Sequence, residues 1–518
     1  MGDVLLAWGS DDVRAAEEPL LAAGVPLMDR AAFALATVVA ARLRERRGRV
    51  GGARVVLLVG GGNNGGDALW AGVRLLRRGA EVTALLVSER VHPEGSVAFR
   101  EAGGRLRSLD GSSDGSSDGS SVRAAAALAA RADVVLDGML GIGARGGLRG
   151  TGAALVTALQ GAFAAVERLP LVVAVDVPSG IGVDDGSVAG PVLTADLTVT
   201  FGCAKPGLLL PPAAALAGRV DVVDVGLRNA GTPAVVRLGA DDLAALWPVP
   251  GEAAHKYTRG VLGVVAGTPR YPGAAVLVSS AAVLAGVGMV RYVGDVGDAV
   301  LAARPEVVVG TGRVQAWAVG PGIDPDDEVA AARVRDALGA AAADDLPVVA
   351  DAGALGLLPD RLTPLTVLTP HAGELATLLG VRGEPVERAD VEREPLRWAV
   401  RAQQLTGATV LLKGAVTVVA GPHGARYAQA EAPAWLATAG AGDVLTGLLG
   451  ALLAGRSDDV RADPTLVAAL AAAAASVHGR AARAANPGGP VAALAVAQAL
   501  PGVVAGLVAP RETAAEDA

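Results

Sequence analysis

Short apolar runs bounded by glycine, proline or aspartate recur through the first half of the chain, at Arg54–Val59, Val82–Val87, Asp133–Leu136, Leu171–Val175, Asp196–Phe201 and Arg219–Val225. Runs of that length with turn-forming flanks predict strands. Between the first two, Leu69–Arg78 reads as helix. Strand, helix, strand is βαβ grammar, and its repetition predicts a parallel, doubly wound sheet. The alternation lapses into glycine, proline and acidic residues from Asn229 to Gly251, then resumes with strands at Val261–Ala266, Ala316–Val319, Val348–Ala350, Thr366–Leu368 and Thr409–Leu412. From Gly440 onward the pattern is Ala-rich helix. The expected organisation is an α/β domain over residues 1–230, a linker over 231–250 and a second α/β domain over 251–510. The Asp-Gly-Ser-Ser repeats of Asp110–Ser121 offer nothing apolar to bury and predict a disordered surface loop.

At 518 residues the chain exceeds what one core normally supports, which agrees with two domains. A net charge of -8 argues against a nucleic-acid partner, because that affinity comes from clustered basic residues. One cysteine, Cys203, allows neither an internal disulfide nor a zinc-type spacing, so a reducing, cytoplasmic setting is expected. The first residues lack the positive charge and long apolar run of a signal peptide. Two uncharged stretches, Pro272–Val290 and Val491–Pro510, approach spanning length, but their Ala, Gly, Ser, Gln and Pro content predicts buried helices or helix–strand pairs rather than a membrane partner. The chain has only three lysines, Lys205, Lys256 and Lys413, and four asparagines, Asn63, Asn64, Asn229 and Asn486. Arginine does the generic surface work, so a retained lysine suggests a place that needs a compact point charge.

Val59 is followed by Gly-Gly-Gly-Asn-Asn-Gly-Gly-Asp67, a glycine-rich turn between a strand and a helix, where amides and the helix dipole receive phosphate. Asn63, Asn64 and Asp67 there can ligate a cation or a polar ring; a tight turn with unusual dihedrals is the plainer reading. Asp137-Gly-Met-Leu-Gly and Val175-Asp176-Val-Pro-Ser179-Gly180 fall at the carboxyl ends of two further strands, the edge at which open α/β sheets bind ligands. Thr198-Val-Thr-Phe-Gly-Cys-Ala-Lys-Pro-Gly207 completes the series. Across residues 10–228 this order of motifs resembles the NAD(P)H-hydrate epimerases, with a Rossmann-like fold. The resemblance implies that Asn63, Asn64, Gly65, Gly66 and Asp67, with Gly141, Ile142, Gly143, Ala144, Arg145, Gly146 and Gly147, line the hydrated nucleotide. It implies K+ at Asn64, Asp137 and Ser179, and Asp176 as the acid/base. Ala68 stands where that family usually has glycine.

In the second half, His255-Lys256-Tyr-Thr-Arg-Gly260 precedes a strand, and Ala266-Gly-Thr with Tyr271-Pro-Gly-Ala-Ala275 forms a turn and a helix start. Val319-Gly-Pro-Gly322, Ala350-Asp351-Ala-Gly-Ala-Leu355, Leu368-Thr-Pro-His371-Ala-Gly-Glu374 and Leu412-Lys413-Gly414 all end predicted strands. Gly440-Ala-Gly442-Asp443 opens a helix, whose amides can neutralise a transferring phosphoryl group while Asp443 accepts a hydroxyl proton. Across residues 245–505 the set is similar to the ADP- or ATP-dependent NAD(P)H-hydrate dehydratases of ribokinase-like fold. The resemblance implies that Ala275, Gly322, His371 and Asp443 contact the hydrate. Lys413, Gly414, Ala415, Val416, Thr417 and Gly442 would contact the nucleotide, with ADP as donor and Mg2+ bridging its phosphates. Substrate contact is preferred over a His371–Glu374 metal pair, because no third ligand is near. Lys256 fits either phosphate or hydrate. The whole is similar to the bifunctional NAD(P)H-hydrate repair enzymes acting on NADHX and NADPHX, and a homo-oligomer is expected. The competing readings are a ribokinase-type kinase of a small alcohol and a noncatalytic nucleotide-binding or protein-interaction module in the first half.

Overall fold

A computed structural model describes residues 4–109 and 119–509. Contacts divide the chain into two compact units, Leu6–Ala234 and Val235–Ala518 with the first few residues. After a short strand β1 (Leu5–Ala7), the first unit forms β2 (Arg54–Val59), β3 (Glu81–Leu86), β4 (Arg105–Ser108), β5 (Val134–Gly138), β6 (Leu171–Val175), β7 (Leu197–Phe201) and β8 (Arg219–Val223). Strands β2 to β8 pair in the order β4-β3-β2-β5-β6-β7-β8, every pair parallel. Side chains alternate faces along a strand, and here both faces are covered. Val55, Leu57 and Val59 enter one apolar cluster with Leu35, Val39 and Leu69, while Val56 and Leu58 enter another with Leu155 and Leu159. The order reverses between β2 and β5, which opens a crevice at their carboxyl ends.

The second unit forms β9 (Val235–Arg237), β10 (Val261–Val265), β11 (Met289–Tyr292), β12 (Val308–Val309), β13 (Ala316–Val319), β14 (Val348–Ala350), β15 (Thr366–Leu368), β16 (Thr409–Leu412), β17 (Thr417–Ala420) and β18 (Arg426–Gln429). Their order is β9-β18-β17-β16-β15-β14-β13-β10-β11-β12, with β17 antiparallel to both neighbours and the rest parallel. Its reversal lies between β13 and β10. Helix Ala441–Gly455 is buried along most of its length because its small residues admit close neighbours. A Cβ at Gly447 would lie 2.1 Å from the carbonyl oxygen of Val278, on helix Pro272–Leu284.

The expected α/β class and parallel sheets are present. Several strand limits shift by one or two residues, and three larger differences stand out. The helix expected at Leu69–Arg78 starts at Asn63, inside the glycine motif, and ends at Arg77. A Cβ at Gly65 would meet the Gly60 carbonyl oxygen at 2.2 Å, so glycine permits the tight return rather than ending the helix. Residues 231–250, read as a linker, contain β9 and helix Ala240–Leu246, with Leu243 and Trp247 in the core of the second unit. Of the Asp110–Ser121 repeat, residues 110–118 lie outside the described residues, and Ser120 and Ser121 begin helix Ser120–Ala130 rather than extend a loop. Pro272–Val290 is a helix–strand pair as expected, and Val491–Pro510 holds helix Ala493–Val508. Among the described residues no single helix is long and apolar enough to cross a membrane; one bent pair, Ser10–Ala22 with Leu27–Arg47, passes by length and composition.

Candidate active sites

In the first unit, β2, β5, β6 and β7 each deliver polar residues to one sheet edge. Gly62 caps the helix after β2, placing Asn63 and Asn64 in its first turn. Asn64 Nδ2 donates to the Leu140 carbonyl at 2.8 Å, tying that turn to the loop after β5. At the end of β5 the fully buried Asp137 accepts from Ser179 N at 2.9 Å and Ser179 Oγ at 2.6 Å, and Ser179 Oγ accepts from Leu140 N at 2.8 Å. Burial raises the Asp137 pKa, with the Ser179 and Met139 hydrogen bonds opposing. No cationic side chain pairs with Asp137 among the described residues. Oxygen donors around an uncompensated carboxylate suit a hard cation.

Asp176 follows β6 with φ 65°, a conformation few non-glycine residues adopt. Its own amide bonds Val199 O, and Val177 N closes back on Val175 O at 2.8 Å, a γ-turn centred on Asp176. Asp176 Oδ1 accepts from Lys205 Nζ (2.5 Å), Thr200 Oγ1 (3.0 Å) and Phe201 N (3.2 Å). Lys205 is fully buried, and Nζ also donates to Thr200 Oγ1 and to Phe201 O, so all three of its donors are placed. Asp176 Oδ2 has no protein partner among the described residues. Asp176 lines a cavity of about 620 Å³ together with Asn63, Asn64, Asp67, Lys205 and the Gly141–Ala144 loop. Burial pushes the Asp67 carboxyl well above the usual range, with the charges of Asp176 and Glu17 adding and Lys205 opposing. Gly65 and Gly66 sit buried behind this cavity, and Arg145, Gly146 and Gly147 are not among its lining residues. The methyl of Ala68 is fully buried, where a Cβ on Gly138 would come within 2.7 Å of it, so the departure is absorbed in the core.

In the second unit, Gly440 takes φ 83° as the N-cap of helix Ala441–Gly455 and puts Asp443 in its first turn. Lys413, just after β16, donates to Asp351 Oδ1 at 2.8 Å, while Thr446 donates to Asp351 Oδ2 at 3.0 Å. A Cβ on Gly442 would lie 3.2 Å from Lys413 Nζ, so lysine and helix N-terminus face one another. Burial works against the Lys413 charge, but Asp351, Glu374 and Asp443 outweigh it and raise its pKa. Burial, reinforced by the Asp351 charge and opposed by Lys413, raises Asp443 to about 6. Gly267, Ala275 and Gly322 meet at the β10/β13 reversal, where a Cβ on Gly267 would touch the Ala275 methyl at 2.8 Å.

His371 is exposed, and its Nδ1 accepts from Gly373 N at 3.1 Å and Glu374 N at 3.2 Å, while Glu374 Oε2 accepts from His371 N at 2.8 Å. This capping box gives His371 a helix-starting role, and its Nε2 lies 3.7 Å from Glu374 Oε2. Gly414 and Ala415 are exposed in the β16–β17 hairpin turn, with Val416 and Thr417 half-buried beside them. Lys256 stands on an exposed loop at the amino end of β10, over the Tyr257 ring, at the opposite edge from Asp443 within this chain. Three contributors carried no role in the sequence reading: Lys205, marked by lysine scarcity, Asp351, present in a motif without a task, and Glu17, from a helix far away in sequence.

One chain therefore carries two α/β units, one with Asp176 and Lys205 paired on a cavity and one with Asp443 in the first turn of a helix whose N-terminus faces Lys413. Family models match residues 25–207 as the YjeF-related protein N-terminus and residues 262–500 as NAD(P)H-hydrate dehydratase. The bifunctional NAD(P)H-hydrate repair enzyme Nnr of Mycobacterium tuberculosis strain H37Rv is 46% identical over 460 residues, covering 86% of this chain and 88% of that protein. The NAD(P)H-hydrate epimerase of Clavibacter michiganensis is 44% identical over 233 residues, 44% of this chain and 94% of its own. A crystal structure of the ADP/ATP-dependent NAD(P)H-hydrate dehydratase of Bacillus subtilis with ATP/Mg2+ is similar at 27% identity and a TM-score of 0.45, covering 52% of this chain and 97% of that one. The chain belongs to the family of bifunctional NAD(P)H-hydrate repair enzymes.

Proposed function

We propose that the first unit interconverts the R and S forms of hydrated NADH and NADPH, and that the second dehydrates the S form to NAD(P)H at the expense of ADP. The observation that carries this reading is the presence of both sites in one chain of this family: Asp176 on a cavity and paired with Lys205, and Asp443 at a helix N-terminus that faces Lys413. In the second site Asp443 accepts the proton of the ring hydroxyl as that oxygen bonds the β-phosphorus of ADP and AMP leaves. Loss of the phosphate and of a ring proton then restores the double bond. The amides at Ala441 and Gly442 and the Lys413 ammonium orient the phosphoryl oxygens. Mg2+ would supply charge neutralisation when bound, and Glu374, 3.9 Å from Lys413, is a carboxylate available to it. Asn64, Asp137 and Ser179 would hold K+ in the first unit. The acidic charge and lone cysteine support a cytoplasmic protein without nucleic-acid partners, and we place it there as a homo-oligomer.

The test is incubation of the chain with mixed R and S NADH hydrate, ADP and Mg2+, following absorbance of restored NADH. Full recovery supports both activities, recovery of S alone removes the epimerase, and no recovery favours a small-alcohol kinase. Two outcomes follow from the electrostatics. As a base, Asp443 works ionised, so dehydratase kcat/KM rises with pH through about 6 and is level above it. Asp351→Asn removes a like charge and moves that midpoint downward; a pH–rate profile of the pair checks the direction. Exchange of K+ for choline lowers the R-to-S rate and leaves dehydration of pure S hydrate unchanged; Asp137→Asn abolishes the response to K+.

A further inference from the structure

Helix Ser10–Ala22 turns Val13, Ala16 and Leu20 onto a small apolar cluster with Ile142, Phe201 and Cys203. Those are positions i, i+3 and i+7, so Glu17 at i+4 lies on the same inward face, where packing favours an apolar side chain. Its neighbour Glu18 is on the outer face and exposed. Glu17 lines the cavity of about 620 Å³ together with Asp67, Asp176 and Lys205. Among the described residues no hydrogen bond or ion pair engages its carboxyl. Arg14, one turn earlier, directs its guanidinium to Asp11 at 2.7 Å and to the Ile142 carbonyl at 3.0 Å instead, which fastens the helix to the cavity-lining loop. Phe201, under the helix, donates its amide to Asp176, so the helix rests on the element that holds the Asp176 carboxylate.

We propose that Glu17 is the second catalytic acid–base group of this cavity, serving one face of the hydrated ring while Asp176 serves the other. The assignment rests on the epimerase reading of the first unit. Inverting a hydroxyl-bearing carbon beside a ring nitrogen needs one C–O bond broken and another formed on opposite faces. Glu17 in its protonated form donates to the hydroxyl; the C–O bond breaks, the nitrogen lone pair forms C=N+, and water departs. Water then adds to the opposite face, the C=N π pair returns to nitrogen, and the proton released by that water goes to Asp176 Oδ2. In the reverse direction the two carboxyls exchange roles, and solvent restores their protonation. A reversible inversion is best served by one such group on each face. The surroundings agree: burial raises the Glu17 pKa, Asp176 adds to it, and Lys205 and Arg14 oppose, with Asp67 the remaining acid on the cavity.

The experiment compares the full chain with Glu17→Gln and Glu17→Asp, using pure R hydrate without ADP and chromatographic separation of the epimers, above the spontaneous rate. Pure S hydrate with ADP and Mg2+ reads the second unit in the same samples, and thermal unfolding confirms that the variants fold. We expect Glu17→Gln to lower R-to-S kcat by about 10²-fold or more with little change in KM. The alkaline fall of the R-to-S profile, where Glu17 loses its proton, should disappear, and Glu17→Asp should recover part of the rate. Dehydration of S hydrate should be unchanged. A Glu17→Gln chain within about three-fold of the wild-type kcat, or one altered in KM alone, overturns the assignment. A wild-type chain that does not convert R to S overturns the epimerase reading itself.

Discussion

Asp443→Asn is expected to lower ADP-dependent recovery of NADH from S hydrate by about 10²–10⁴-fold, the range that a positioned general base contributes. Asparagine keeps the size and the helix position but cannot accept the hydroxyl proton. The groups that face the nucleotide stay in place, because Lys413 is held by Asp351 and not by Asp443. Calorimetric ADP affinity should therefore stay within a few-fold while kcat collapses, the pattern of an interaction made only in the transition state. Equal losses in affinity and rate would assign Asp443 to binding. The R-to-S conversion of the first unit serves as an internal control.

Lys205→Met is expected to remove R-to-S conversion and to destabilise the first unit by about 3–5 kcal/mol, the usual result of deleting one partner of a buried ion pair. Methionine nearly fills the same volume, so the loss is electrostatic: Asp176 keeps its burial and loses its counter-charge. Lys205 Nζ also satisfies Thr200 Oγ1 and the Phe201 carbonyl, which become under-bonded together. Urea unfolding followed by loss of R-to-S activity in wild type, and by tryptophan fluorescence in the variant, measures the shift. The double variant Lys205→Met/Asp176→Asn separates the two effects, since it removes both charges. Its stability should return most of the way while its epimerase activity stays absent. A single variant as stable as wild type would mean that the pair contributes nothing net.

Strands were legible where a run was apolar throughout and buried on both faces, as at Leu171–Val175 and Ala316–Val319, whose limits coincide with those in the structure. Two strands with mixed faces escaped notice: Arg105–Ser108 carries two arginines, and Arg426–Gln429 starts on a charge and ends on a buried amide, whereas the edge strand Arg219–Val223 was legible from its three valines. The helix start at Asn63 was hidden by the glycines that make it possible. Site residues on motifs at strand ends were visible because the chain itself supplies the ordering strand, then loop. Asp137 and Ser179 lie 42 residues apart but share one hydrogen-bonded cluster, since β5 and β6 are neighbours in the sheet. Partners supplied by tertiary folding were not visible as such. Lys205 could be singled out by rarity, yet its bond to Asp176 depends on β6 and β7 lying side by side. Glu17 had a readable clue, a carboxylate on the apolar face of Ser10–Ala22, but what that face meets is decided only by the fold.

The γ-turn at Asp176 constrains how this position can drift over evolutionary time. A left-handed backbone is readily occupied by glycine, asparagine and aspartate and resisted by most others. Asparagine and glycine keep the turn and forfeit the carboxylate; glutamate keeps the carboxylate and fits the turn poorly. No single replacement satisfies backbone and chemistry together, so a lineage that loses aspartate here has no neutral stepping stone back except direct reversion. Position 176 should then behave as a ratchet: invariant while the activity is under selection, and quick to diversify within small, turn-tolerant residues once it is not.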